Sequence, residues 1–147
     1  MSTKSEVGLG DIGYKDKTLA EIQDRVLWLA AYMVDFVNNV QPSSEELKVG
    51  GHQASSSSVV TILTYIFFEY MDAGDRIAIK PHASPVYHAI QYLLGNLGVE
   101  YLETLRSLGG LQAYPSRTKD PDGVDFSAGP VGLGAVAPNF ASLTESY

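Results

Sequence analysis

The chain has 147 residues, 45% of them apolar, and a formal net charge of −7. That is the size of one domain with apolar content sufficient for a core, and the acidic balance argues against a nucleic-acid surface. No apolar run is long enough to span a bilayer, the polar opening Met1-Ser-Thr-Lys-Ser does not read as a signal peptide, and the lack of cysteine excludes disulfides and thiolate chemistry. A cytoplasmic location is compatible with this and is the expectation.

Residues 1–16 are polar and Gly-rich and read as an N-terminal arm, leaving 17–147 as the folded portion. From Thr18 onward Leu19, Ile22, Val26, Leu29, Met33, Phe36 and Val40 recur at three- and four-residue steps, which predicts an amphipathic helix. Thr18 and Glu21 fit a capping box at its start. Gln41 to Glu46 is a linker by composition. Gly50-Gly51-His52-Gln-Ala-Ser55 precedes a serine run that could cap a second helix carrying Val59, Ile62, Leu63, Ile66 and Phe67, with Gly74 as its stop.

Ile77, Ala78 and Ile79 then form a strand-like apolar run, closed by Pro81, which has no N–H for a ladder. Ser84 and Pro85 read as N-cap and first residue of the next helix, which ends near Gly95. His82 is thereby set on the turn at a strand's C-terminal end, where open α/β sheets hold their ligands. A short helix with Tyr101, Leu102, Leu105 and Leu108 on one side follows, then Gly109-Gly110 and an irregular loop over 111–124. Val124 begins a second strand-like stretch that passes through Gly129-Pro-Val131-Gly132-Leu-Gly134 into a last helix. There Pro138 fits the first turn, or kinks the helix if it starts earlier. This order predicts an α/β architecture, a parallel sheet flanked by helices. Two strands cannot bury the faces of such a sheet, so the chain reads as an incomplete module of a longer protein.

Only three histidines are present, His52, His82 and His88. His82 could donate to an anion or relay a proton, or serve as a hydrogen-bonded turn residue. His52 could face the same cleft or act as a cap, and Ser55 suits an N-cap or a phosphate contact. His88 lies within a helix and reads as structural. The glycine run suits a ligand approached by bare backbone, but taken alone it reads first as a tight helix–strand packing turn. Arg117 and Lys119 could meet an anionic substrate but read first as solvated charges. No histidine spacing supports a metal site, and the G-x-S-x-G of a serine hydrolase is missing.

Three motifs occur in a fixed order: Gly50-Gly51-His52 with Gln53-Ala-Ser55, Lys80-Pro-His82 with Ala83-Ser-Pro85, and Gly129-Pro-Val131-Gly132-Leu-Gly134. From about Leu19 to the end, the chain resembles the N-terminal part of the transketolase-like thiamine diphosphate enzymes. The likeness is nearest to the homodimeric pyruvate dehydrogenase first component and its bacterial transketolase-like relatives. The resemblance implies part of a pyrophosphate-type cofactor-binding module in a dimeric enzyme. That enzyme would act on a small-molecule substrate, by 2-oxo acid decarboxylation or by ketol transfer from a ketose phosphate. It implies catalytic places for His52 and His82, and cofactor contacts for Ser55, His82, Gly129 and Val131. The family's Gly-Asp-Gly…Asn motif and its activating glutamate are not found, so the ligands of the Mg2+ that accompanies thiamine diphosphate are expected outside this chain. The chain alone is therefore expected to be inactive. The alternative is a non-catalytic remnant that binds a partner subunit.

Overall fold

The structure, a computed structural model, describes residues 9–41, 50–130 and 132–145. Helix α1 runs Leu9–Asp35 and widens into a π-helical turn, Phe36–Val40, closed by the Gln41 N–H donating to the Phe36 carbonyl at 2.8 Å. A short α2 (Gln53–Ser57) leads into α3 (Val60–Tyr65), which ends in a second π-helical turn, Ile66–Tyr70. Helix α4 spans Ser84–Leu93, a single 3-10 turn covers Val99–Tyr101, and α5 spans Leu133–Glu145.

The apolar period of α1 points inward in its middle, where Val26, Leu29 and Met33 are buried, but not to its predicted end. Phe36 is half-buried and Val40 exposed, and Val37, outside the predicted set, is buried in their place within the π-helical turn. Helix α4 packs on that face and is buried from Ser84 through Gln91, while α3 adds Val60 and Leu63. The helix begins at Leu9, inside the stretch read as an arm, so Thr18 lies within it. The linker reading falls mostly on residues 42–49, outside the described residues. Helix α4 begins one residue earlier than expected: Ala83 takes the N-cap place, Ser84 is the first helical residue, and Pro85 follows in the first turn. Helix α5 starts at Leu133, which leaves Pro138 in its interior, without an N–H for the Gly134 carbonyl.

The predicted α/β class is overturned. Among the described residues there is no strand and no sheet, so neither Ile77–Ile79 nor the stretch from Val124 belongs to a parallel sheet. Strand character needs a neighbour to share a ladder, and apolar sequence alone cannot supply one. The two stretches do meet, but through a side chain: the Ile77 N–H donates to Asp125 Oδ2 at 3.0 Å. Ile79 is buried in the helical core instead of on a sheet face. The helix expected over Tyr101 to Leu108 is likewise only a 3-10 turn followed by bends. Arg106 and Gly109 both take positive φ there, +63° and +77°, which no helix continues through. Leu102 and Leu105 still reach the core, while Leu108 is fully exposed.

Buried carboxylates order the loop over 111–124. Asp120 accepts the Gln112 and Ser116 amides at 2.8 and 2.7 Å. Burial pushes its carboxyl above the ordinary range, against the pull of those two amides. Asp122 Oδ2 lies 2.5 Å from His88 Nδ1, with both side chains wholly buried, and Asp120 Oδ1 stands 3.9 Å from His88 Nε2. The Tyr87 hydroxyl donates to the Asp122 carbonyl at 3.2 Å. His88 thus has the structural place its helical position suggested. It ties the loop to α4.

Candidate functional site

The turn carrying His82 is built by Pro81. The Ala83 N–H donates to the Lys80 carbonyl at 3.1 Å, with Pro81 at the second position and His82 at the third, where φ is +62°. Turns with proline in that place and positive φ after it normally take glycine or asparagine, and histidine is one of the few other residues enriched there. The His82 N–H donates to the Ala113 carbonyl at 3.0 Å, fixing the turn against the following loop.

His52 arrives from the other side. It immediately precedes α2, and its carbonyl accepts the Ser56 N–H at 3.1 Å. Its approach is set by Asn38, on the π-helical turn after α1. Asn38 Oδ1 accepts the Gly51 N–H at 2.7 Å, and its Nδ2 donates to the Gly51 carbonyl at 3.3 Å. A Cβ on Gly51 would stand 3.0 Å from a Val34 methyl, so the glycine lets this backbone lie against α1.

The two imidazoles meet edge to face, centroids 4.3 Å apart and planes at 90°. Tyr114 also meets His82, the two rings tilted by 57° with centroids 4.8 Å apart and Tyr114 Oη 3.1 Å from His82 Nε2. Arg106 Nη2 lies 3.4 Å from His82 Nδ1, and its Nε is buried with no partner. Lys80 Nζ donates to Ser58 Oγ at 3.4 Å and to the Ser55 carbonyl at 3.5 Å. Burial lowers the His82 pKa from its ordinary value of 6.5, assisted by the charges of His52, Arg106 and Lys80. The cluster is thus locally cationic within an acidic chain.

Of the residues singled out from sequence, His52 and His82 are in contact, and Ser55 joins them through its carbonyl on Lys80. Gly129 is tethered one residue away: the Ala128 N–H donates to the Pro115 carbonyl at 2.7 Å, next to Tyr114. Gly129 and Gly132 take φ of +152° and +91°, with open space where a Cβ would stand. Val131 lies outside the described residues. Arg117 and Lys119 are exposed. Sequence reasoning passed over Asn38, Arg106 and Tyr114. The Tyr114-Pro115 pair was a visible turn signal, but nothing in a sequence marks an arginine for positive φ. Among the described residues no group of three or more His, Cys, Asp or Glu could hold a metal ion, and no helix is long and apolar enough to cross a membrane.

No protein-family model matches the chain. Its curated relatives are enzyme components of one kind. They bear the name pyruvate dehydrogenase E1 component, and the chain is similar to them in sequence. It is 30% identical to the Escherichia coli protein over 135 residues, 86% of this chain and 15% of that protein. Identity to the Pseudomonas aeruginosa protein is 31% over 135 residues, 86% of this chain and 15% of the relative. For Mycobacterium tuberculosis it is 32% over 133 residues, 83% and 14%. The chain therefore spans about 15% of the length of the curated relatives it matches.

Proposed function

We propose that this chain is the N-terminal part of a dimeric, thiamine diphosphate-dependent enzyme that acts on a 2-oxo acid, with pyruvate as the first candidate. The observation that carries this reading is the edge-to-face meeting of His52 and His82 at 4.3 Å, since these come from two of the three motifs that resemble the family. His52 and His82 would face the reacting end of the cofactor, Ser55 and His82 its diphosphate, and Gly129 and Val131 its aminopyrimidine.

The residues fit the anionic end of such a group. Lys80 and Arg106 flank the imidazoles, and the buried, unpartnered Nε of Arg106 is a donor without an acceptor. The bare backbone at Gly129 and Gly132 would leave room for a close approach. The described residues offer no ligand set for Mg2+, which would come from elsewhere in the enzyme. When bound, thiamine diphosphate supplies the electron sink that decarboxylation of a 2-oxo acid needs. This chain would bind and orient it.

A second reading, a non-catalytic remnant docked on a partner subunit, draws support from α5. None of its described residues is buried, and Leu133, Val136, Phe140 and Leu143 are exposed. One experiment separates the two. Thiamine diphosphate with Mg2+ is titrated calorimetrically into the full-length protein, wild type, His52→Ala and His82→Ala, and pyruvate turnover is measured. Weaker cofactor binding or lower turnover in the variants is expected. Unchanged affinity and turnover in both would overturn the site, and no binding by the wild type would favour the remnant. The isolated 147 residues should not turn over pyruvate.

A further inference from the structure

We propose that Arg106 is a positioning residue that holds the His82 imidazole in the tautomer carrying its proton on Nε2, aimed at the Tyr114 hydroxyl. The reasoning is one of donors and acceptors. A guanidinium has only donors, so the contact between Arg106 Nη2 and His82 Nδ1 at 3.4 Å makes Nδ1 the acceptor. A neutral ring then bears its hydrogen on Nε2, 3.1 Å from Tyr114 Oη, which must accept it. The tyrosine hydroxyl keeps its own hydrogen free to donate away from His82. The outward donor of the cluster is then Tyr114, not His82.

The groups facing His82 agree. They are the His52 ring, Lys80, Arg106 and Tyr114, with no carboxylate among them to draw a proton onto Nδ1. The backbone is committed to the arrangement at both ends. His82 and Arg106 are the two non-glycine residues with positive φ among the described residues, +62° and +63°. Each is pinned by its own N–H, to the Ala113 carbonyl at 3.0 Å and to the Leu111 carbonyl at 2.8 Å. Strained conformations of this kind persist where the surroundings over-determine them, and here they bring two side chains together. This inference places a role on a residue of the proposed cofactor pocket and so rests on that reading for its function, though not for its geometry.

The test is nuclear magnetic resonance on the 147-residue chain labelled with 15N-histidine. Two-bond proton–nitrogen correlations at pH 7.5 report which ring nitrogen of His82 is bare. A bare Nδ1 and a protonated Nε2 are expected in the wild type. Arg106→Met should give a mixture of tautomers and a His82 titration at higher pH than wild type, because one cation beside the ring is gone; Arg106→Lys should restore part of both. A wild-type His82 protonated on Nδ1, or an unchanged tautomer in Arg106→Met, would overturn the proposal. If Arg106→Met fails to fold, Arg106→Lys and the wild type carry the test: a wild-type His82 protonated on Nδ1, or one whose tautomer and titration are the same in Arg106→Lys as in a folded Arg106→Gln, overturns it. A bare Nδ1 together with full cofactor affinity in His82→Ala would sustain the positioning role while removing the pocket it was proposed to serve.

Discussion

Replacing Asp122 by alanine strikes the joint between α4 and the loop that carries Tyr114. In the wild type Asp122 Oδ2 sits 2.5 Å from His88 Nδ1, and neither side chain has exposed surface. Alanine leaves that nitrogen without a partner. His88 Nε2 is already without a hydrogen bond, its nearest carboxylate oxygen 3.9 Å away on Asp120. The whole imidazole is then buried and unpaired. An unsatisfied buried polar group costs about 1–3 kcal/mol. Half of a broken buried ion pair costs about 3–5 kcal/mol. Some relief offsets this, because Asp122 Oδ1 is itself unpaired and the Asp122 charge disfavours ionisation of Asp120. A net loss of about 2–4 kcal/mol follows from these bounds. At about 2–4 °C per kcal/mol for a domain of this size, the melting temperature should fall by roughly 5–15 °C. Thermal unfolding by circular dichroism reads the effect, with urea titration giving the free energy. The double variant His88→Leu with Asp122→Ala should recover part of the loss, since removing both partners leaves nothing buried and unpaired. A single variant melting within about 2 °C of wild type, or a double variant no better than the single, would refute the reasoning.

Two further outcomes follow from the site. Because the folded His82 titrates below its ordinary 6.5, the unfolded chain binds more protons between the two values, so stability rises with pH through that window and is lost as pH falls below about 6.5. Melting from pH 5 to 7.5 should show a shallower acid loss in His82→Gln than in wild type, and equal slopes would contradict it. Asn38→Ala removes both hydrogen bonds to Gly51 and should cost about 1–2 kcal/mol, with faster hydrogen exchange at the Gly51 amide. Unchanged exchange there would mean that Asn38 does not hold the His52 segment.

The sequence by itself determined the parts of this protein that depend on local pattern. The three- and four-residue spacing of Val26, Leu29 and Met33 specified an inward face for α1, and Pro85 with Gly95 bracketed α4. Three short motifs in a fixed order carried the resemblance, and the chain is 30% identical over 135 residues to a pyruvate dehydrogenase E1 component. The absence of a sheet could not be read this way: Ile77 to Ile79 is strand-like in composition, yet a ladder is a property of two segments, and here the neighbour offers the Asp125 carboxylate instead of a backbone edge. Tertiary structure also decided the site. His52 and His82 stand 30 positions apart, and only Asn38 gripping Gly51, together with the Pro81 turn, sets their rings edge to face. Arg106 and Tyr114 reach His82 from separate bends, one of them through a left-handed arginine that no propensity foretells. Local pattern fixes which face of a helix is apolar, whereas pairings between distant residues depend on long-range closure that no single stretch of sequence encodes.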